Sequence, residues 1–197
     1  PFPFNESERS HQMQCHYNNT GNVFAQASRL GADANVYAAW QLSTGDPDVI
    51  VAVVDQGVKY DHEDLAANMW VNEAELNGTP GVDDDGVKIM SCEILGKSES
   101  GSSGAGLAGQ IRAIKYAADN GAVICQNSWG YTAGTISVTD WTRGSYSALS
   151  RAMEYFNKYA GLDENGNQTG PMAGGIVLFA AGNDASNEIC YPAADAN

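Results

Sequence analysis

The chain has 197 residues, 24 Asp and Glu against 10 Lys and Arg, and a formal net charge of −14. This acidity argues against a nucleic-acid-binding function, because phosphates are bound by Lys and Arg. No apolar stretch reaches the roughly 18 residues that a membrane helix needs, so the sequence predicts no membrane span. The length and composition fit a secreted or periplasmic globular enzyme, with residues 1–197 forming a single domain.

The first clear elements are a helix and a buried strand. ANVYAAWQL (34–42) predicts a short helix that the turn STGDPD ends. The Val/Ile run of residues 49–55 predicts a parallel strand covered on both faces. Asp55 closes that run, and open α/β sheets place ligands and catalytic groups at such strand ends. The alternative is an Asp that only begins the next loop.

Strands and helices alternate along the rest of the chain. Residues 60–86 are rich in Asp, Asn and Gly, and they predict a loop. The elements predicted after this loop are strand 87–95, helix 110–119, strand 122–128, helix 145–160 and strand 175–181. This alternation predicts an α/β fold with a doubly wound parallel sheet.

Three blocks of the sequence together resemble one enzyme family. They are residues 38–65, which contain VVDQGVKYDHEDL, residues 111–130, which end in CQNSWG, and GGIVLFAAGND (174–184). Their content and order resemble the subtilisin-like serine peptidases, the subtilases. The resemblance implies a secreted serine endopeptidase with a subtilisin-like fold and an Asp-His-Ser triad. It assigns the catalytic aspartate to Asp55 and the side-chain donor of the oxyanion hole to Asn183, for which the alternative is a turn-forming residue.

The family's other two catalytic segments are absent. No segment resembles H-G-T-H, which would hold the catalytic histidine, and none resembles G-T-S-M-A, which would hold the serine. The three histidines are His11, His16 and His62.

The missing histidine segment points to the junction between Gly86 and Val87. Two parallel strands need a crossover, usually a helix, yet residues 60–86 have no helical apolar period and run straight into a strand. We therefore interpret the chain as a partial, incomplete domain, with one segment missing between residues 86 and 87 and another beyond residue 197. The alternative is a genuine deletion in a degenerate homologue.

The resemblance also implies a substrate site. Ser128, Trp129 and Gly130 resemble the edge segment that pairs with the substrate main chain, and Gly130 would allow a close backbone approach. The alternative is that Trp129 belongs to the core and Gly130 to a turn. The wall of the specificity pocket would be formed by Ala180, Ala181 and Gly182.

Two positions depart from the family pattern near these segments. Gln56 follows Asp55 where the family commonly has Ser or Thr. Ala185 replaces a common Gly after Asn183, and we expect it to narrow the pocket mouth.

The sequence also bears on metal binding and on the state of the cysteines. Asp64 matches a family calcium ligand, so the resemblance implies a structural calcium, whereas catalysis requires no cofactor. Cys92 and Cys125 lie in apolar strands and are predicted to be buried free thiols. A disulfide that involves Cys15 or Cys190 stays open.

Three functions remain in contention from the sequence. The first is an active endopeptidase, and the second is a catalytically inactive subtilase homologue or fragment that binds extended peptides along residues 128–130. The third is a structural domain without a cleft, against which Asp55 and Asn183 argue. In each peptidase-like interpretation the partner is an extended peptide or protein substrate, with no nucleic acid and no membrane span, and the location is secreted, periplasmic or at the cell surface.

Overall fold

A computed structural model of the chain describes residues 16–19, 21, 29–72, 87–96 and 104–195. The chain divides into two compact units, residues 1–46 and residues 47–197. The first unit contains the short helix α1, Val36–Trp40. Tyr17 packs edge-on against Trp40 in this unit, with ring centroids 5.5 Å apart.

The second unit holds the sheet and the longer helices. Its strands are β1 (Ile50–Asp55), β2 (Lys88–Glu93), β3 (Ile124–Asn127) and β4 (Ile176–Phe179). Its helices are α2 (Gly106–Asp119), α3 (Val138–Thr142) and α4 (Ser147–Tyr159). A 3-10 turn, Ala66–Asn68, lies between β1 and β2. None of the helices in the described part of the chain is long and apolar enough to cross a lipid bilayer.

The four strands form one parallel sheet in the order β2-β1-β3-β4. Val54 of β1 is the register partner of Asn127 in β3, and Asp55 is the partner of Glu93 in β2. The connection from β1 to β2 runs toward one edge of the sheet, and the two later connections run toward the other edge. The predicted parallel α/β sheet is therefore confirmed, with a change of direction between β1 and β3.

The two long helices pack on the same face of the sheet. α2 contacts β1, β2 and α4, and α4 contacts β4. α4 buries Leu149, Ala152, Met153 and Phe156, which recur at the spacing of one helical face. The strand side chains under these helices are fully or nearly buried, namely Ala52, Val54, Met90, Cys92, Cys125 and Asn127.

The other face of the sheet is less buried. We call it the open face, and its side chains on β1, β3 and β4 are Val51, Val53, Ile124, Gln126, Ile176 and Leu178. Ile176 and Leu178 are 47% and 50% exposed. In the described part of the chain, no helix packs on this face.

Several boundaries differ from the prediction. α2 begins at Gly106, four residues before the predicted start, and α3 was not predicted. The described start of the predicted loop 60–86 contains the 3-10 turn, and Met69 forms a parallel bridge to Ile89. Residues 73–86 lie outside the described residues, and so does the predicted break at Gly86.

The predicted state of the core cysteines is confirmed. Cys92 and Cys125 are buried and free, and Cys190 is also free. Burial raises the pKa of the Cys92 thiol to about 11 and that of the Cys125 thiol to about 12. Cys15 lies outside the described residues.

Candidate active site

Asp55 lies at the point where the sheet changes direction. Because Val54 and Asn127 are partners, the residues that follow them, Asp55 and Ser128, leave the sheet at the same level. The crevice beyond the carboxyl ends of two strands at such a switch point is where open α/β sheets bind ligands. The strand order thus places two predicted site segments at neighbouring strand ends, although Asp55 does not line the cleft described below.

The Asp55 carboxylate is half-buried and oriented by its own chain. Its Oδ1 accepts a hydrogen bond from the backbone N–H of Gln56 at 2.7 Å. Its other oxygen has no hydrogen-bond partner among the described residues, so it can still accept a proton donor. Strand alternation places this side chain on the side of the open face, together with Val51 and Val53. The Gln56 side chain is exposed, and it is the backbone of Gln56 that binds Asp55.

A cleft of about 210 Å³ separates the segment after β3 from the segment after β4. Most of the predicted substrate residues line it together with Asn183, and Ala181 is absent from the lining. The lining residues are Ser128, Trp129, Gly130, Tyr131, Thr132, Ala180, Gly182, Asn183, Asp184 and Cys190. The order of the strands explains this convergence, since β3 and β4 are neighbours and their partners Asn127 and Phe179 lie at the same level.

Within this cleft, Trp129 and Gly130 have structural roles of their own. Trp129 is only 8% exposed and packs edge-on against Phe179, with ring centroids 5.1 Å apart. A Cβ on Gly130 would lie 3.3 Å from the carbonyl oxygen of Tyr191. The close approach that favours glycine here is therefore made by the protein's own backbone.

The main chain of residues 128–130 is unpaired. The backbone N–H and C=O groups of Ser128, Trp129 and Gly130 make no hydrogen bond within the described part of the chain. The next residue, Tyr131, donates its backbone N–H to Tyr191 at 2.9 Å. The edge segment is thus anchored at its end and free along its length, which is what pairing with an extended peptide requires.

Asn183 lines the cleft, and its side-chain amide is available for hydrogen bonding. It follows Gly182, whose φ of +93° favours glycine. Asn183 is exposed, and its amide has no hydrogen-bond partner among the described residues. The adjacent Asp184 accepts the backbone N–H of Ala133 at 2.7 Å, so it ties the two walls of the cleft together.

Cys190 closes the cleft, although no motif marks it in the sequence. Its thiol donates to the carbonyl oxygen of Tyr131 at 3.3 Å. Its sulfur would lie 3.1 Å from a Cβ on Gly182 and 3.8 Å from one on Gly130. Only the tertiary fold, which brings residue 190 between the two walls, could have identified it.

The histidines of this chain do not complete a triad in the described residues. The Nδ1 atom of His62 accepts the backbone N–H of Asp64 at 3.2 Å. His62 makes no hydrogen bond to Asp55. His16 packs against Tyr17 in the first unit with the two rings tilted by 60°, and His11 lies outside the described residues.

Asp64, for which the resemblance implies a role as a calcium ligand, is exposed. The Asp64 side chain is 81% exposed and lies 3.7 Å from His62 Nδ1. Calcium takes six to eight oxygen ligands. In residues 16–72, 87–96 and 104–195, as far as they are described, no group of three His, Cys, Asp or Glu side chains could hold a metal ion.

Comparison with known proteins identifies a family, over a match that does not include β1 or Asp55. The sequence model of the Subtilase family matches residues 83–197, which is more than half of the chain. The match contains β2, β3, β4 and the whole cleft. The chain belongs to the subtilase family.

The chain is also similar to individual proteases, at about 30% identity. The chain is 33% identical over 126 residues to a halolysin-like extracellular serine protease, Nep, of Natrialba magadii, which covers 49% of this chain and 23% of that protein. It is 30% identical over 188 residues to a calcium-dependent protease of Trichormus variabilis, which covers 78% of this chain and 26% of that protein. The chain thus spans about a quarter of the length of these relatives.

A solved structure supports the fold. The prenylagaramide maturation protease PagA superimposes with a TM-score of 0.50 at 20% identity, and the match covers 81% of this chain and 55% of that chain. At this identity the likeness shows the fold alone, and it agrees with the parallel sheet described above.

Proposed function

We propose that this chain is the aspartate and oxyanion portion of a subtilisin-like serine endopeptidase that hydrolyses peptide bonds in extended substrates. The observation that carries the proposal is that Asp55 and the unpaired segment 128–130 lie at the ends of neighbouring strands, at the switch point of the sheet. Membership of the subtilase family, a family of peptidases, also supports this proposed function.

The substrate would bind as an added strand. Its main chain would pair with the free N–H and C=O groups of Ser128 and Gly130, and one side chain would enter the cleft that Cys190 closes. The cleft of about 210 Å³ suits a single side chain, since whole drug-sized ligands need about 300 Å³ or more. The protein would therefore select its peptide substrates mainly by the side chain at one position.

Each retained polar group would have one catalytic task. The free oxygen of Asp55 would accept the Nδ1 proton of a catalytic histidine, which fixes the tautomer and stabilises the imidazolium. That histidine would remove the proton from the nucleophilic serine as the serine attacks the scissile carbonyl. Asn183 would donate its side-chain amide to the oxyanion, a contact whose loss typically costs about 3–4 kcal/mol.

The histidine and the serine would come from segments that this chain lacks. Two alignments support a gap somewhere within them, because they are longer than the stretch of this chain that they cover, whereas the alignment with the halolysin of Haloferax mediterranei, 167 positions for 81% of the chain, has almost no unfilled positions. The alignment with the halolysin-like protease extends over 126 positions, yet it uses 49% of the 197 residues, which is fewer than 126. The alignment with the calcium-dependent protease behaves in the same way, with 188 positions for 78% of the chain.

The second candidate function is peptide binding without hydrolysis. It is favoured by one observation, which is that neither described histidine makes a hydrogen bond to Asp55. In this case the cleft and the free edge segment would still bind an extended peptide, and Asp55 would be a remnant.

We also propose that the parent protein acts outside the cytoplasm. The Natrialba relative is named as extracellular, which supports secretion or a cell-surface location. The Trichormus relative is named as calcium-dependent, but the described surroundings of Asp64 supply too few ligands for us to place a calcium ion in this chain.

The deciding experiment is an intact mass of the protein purified from its source, with a peptide map across Gly86 and Val87 and a serine-directed fluorophosphonate label. A mass well above 20.8 kDa, no peptide that joins these residues, and a labelled serine would support the endopeptidase. A mass of 20.8 kDa with the joined peptide and no label would exclude triad catalysis and leave peptide binding, to be measured by fluorescence anisotropy.

A further inference from the structure

Two buried amide side chains flank the free backbone of residues 128–130. Asn127, which is fully buried, comes directly before this segment. Gln110, which is 8% exposed, accepts a hydrogen bond from Tyr131, which comes directly after it. Only four polar side chains are buried in the described part of the chain, and these are two of them. Because buried polar groups are costly unless they are hydrogen-bonded, their meeting at one segment needs an explanation.

Asn127 fastens the beginning of the segment to β4. Its side-chain amide donates to the backbone carbonyl of Leu178 at 3.1 Å, and its own backbone carbonyl accepts the N–H of Ala180 at 3.0 Å. Its side-chain oxygen is buried with no hydrogen-bond partner among the described residues. An unpaired buried acceptor is destabilising, so this side chain fixes the point at which Ser128 leaves the sheet at a cost in stability.

Tyr131 is held by three hydrogen bonds at the other end of the segment. Its backbone N–H donates to the carbonyl of Tyr191 at 2.9 Å, and its own carbonyl accepts the thiol of Cys190 at 3.3 Å. Its phenol donates to Oε1 of Gln110 at 2.6 Å. Burial raises the pKa of this phenol, so it keeps its proton and remains a donor in neutral solution. The first two bonds join Tyr131 to the wall of the cleft, and the third joins it to α2.

The helix that carries Gln110 is itself firmly anchored. The backbone N–H of Ala105, just before α2, donates to the carbonyl of Ile94, just after β2, at 2.7 Å. Further along α2, Ile114 and Ala117 are fully buried, and the helix contacts β1, β2 and α4. Gln110 is therefore a fixed point, and its bond to Tyr131 sets where the segment ends.

We propose that Gln110 is a positioning residue of the substrate site, which holds residues 128–130 in place through Tyr131 so that they are ready to pair with a peptide. This inference deepens the proposed function and rests on it, because it assumes that the substrate pairs with this segment. Ordering a flexible backbone costs conformational entropy, and a site that is already ordered avoids this cost when the ligand binds. Gln110 therefore strengthens peptide binding without touching the peptide.

A double-mutant cycle on this pair separates positioning from stability. Tyr131→Phe removes the donor and leaves the buried acceptor of Gln110 unpaired, so the chain should unfold at lower urea. Adding Gln110→Met removes the acceptor as well, and replacing both partners by apolar groups of similar shape is nearly neutral. Stability should therefore recover in the double variant. Peptide affinity should stay about three- to tenfold weaker in both variants, because neither has the bond to α2.

The affinity is measured by fluorescence anisotropy with the full chain. The probe is a fluorescein-labelled hexaalanine in which one residue is varied, and the tightest binder of the set is used throughout. The matched control is Tyr155→Phe, which removes a phenol that donates to Asp119 at 2.8 Å and does not line the cleft. Its affinity should equal that of the parent chain. Unchanged affinity in Tyr131→Phe, or affinity that recovers together with stability in the double variant, would overturn the proposal.

Backbone order parameters from NMR test the positioning without any peptide. The N–H groups of residues 128–130 should have values near about 0.85 in the parent chain, as in rigid backbone, and should fall towards about 0.6 in Tyr131→Phe and in the double variant. Low values in the parent chain, or equal values in the variants, would refute the role of Gln110. If the parent chain binds no peptide although its values are high and fall as expected, pairing with a peptide is excluded and the positioning of the segment by Gln110 stands.

Discussion

Asp184 holds the backbone of Ala133 across the candidate substrate cleft, with 2.7 Å between the carboxylate Oδ2 and the backbone nitrogen. The two residues are 51 positions apart in the chain, so this bond ties the segment after β3 to the segment after β4. The second oxygen of the carboxylate remains available at the rim of the cleft. Asp184 therefore sets the width of the cleft before any substrate arrives.

We expect Asp184→Ala to lower the free energy of unfolding by about 0.5–1.5 kcal/mol, the net value of a typical hydrogen bond. It should also weaken the binding of extended peptides, because the walls are no longer tied. Asp184→Asn keeps an acceptor oxygen and is the matched control. Urea unfolding and peptide anisotropy measure the two effects, and equal behaviour of the Ala and Asn variants would show that the bond does not matter.

We expect that substitution of Ala185 by glycine does not lower the melting temperature of the chain. Its φ of +48° is left-handed, which costs a non-glycine residue about 1–2 kcal/mol. Glycine removes this strain but loses about 0.4–1 kcal/mol through the entropy of the unfolded chain. Ala185→Gly should therefore leave the melting temperature equal or higher. The opposite substitution, Gly182→Ala, should lower it, since φ is +93° there and the Cys190 sulfur is close.

Asn183→Ala separates catalysis from stability. Because the Asn183 amide has no partner among the described residues, the melting temperature should not change. On the complete protein, kcat should fall about 10²–10³-fold with little change in KM, as for the loss of one oxyanion donor. An unchanged kcat would remove Asn183 from the mechanism, and a large fall in melting temperature would assign it a structural role.

The buried thiols predict a loss of stability at high pH. In the folded chain the pKa values of Cys92 and Cys125 are about 11 and about 12, against 9.0 for the free thiol. Above pH 9 the unfolded chain releases these protons and the folded chain keeps them, so unfolding becomes easier. Each thiol lowers the free energy of unfolding by up to about 1.4 kcal/mol per pH unit until its folded pKa is reached.

Urea unfolding between pH 8 and 11 measures this dependence. The double variant Cys92→Val and Cys125→Val should show a flatter profile over that range, whatever its stability at pH 8. Parallel profiles would mean that other groups, such as Tyr131 with its raised pKa, dominate the alkaline range.

Much of the fold follows from local sequence patterns. Long Val/Ile runs and an amphipathic helix are strong signals, so β1 and α4 were predicted nearly to the residue. The start of α2 was missed because Gly106 and Gly109 are poor helix formers. α3 was missed because it is short, although Ser137 caps it by accepting the backbone N–H of Asp140.

The positions of Asp55 and Ser128 at strand ends could be predicted from the sequence, and their roles stay predictions. The position of Cys190 could not, because its place between Gly130 and Gly182 depends on a chain reversal that no pattern encodes. The role of Gly130 in substrate approach stays a prediction, and the sequence did not reveal that a Cβ there would lie 3.3 Å from the Tyr191 carbonyl oxygen. Which face of the sheet each helix covers is likewise set by topology and not by local sequence.

The placement of α2 and α4 on one side of the sheet has a calorimetric consequence. Unfolding raises the heat capacity in proportion to the apolar surface that becomes wet, about 12–15 cal/mol/K per residue in ordinary domains. Here Ile176 and Leu178 are already half exposed before unfolding. These two side chains therefore add only about half as much to the heat-capacity step as fully buried ones would.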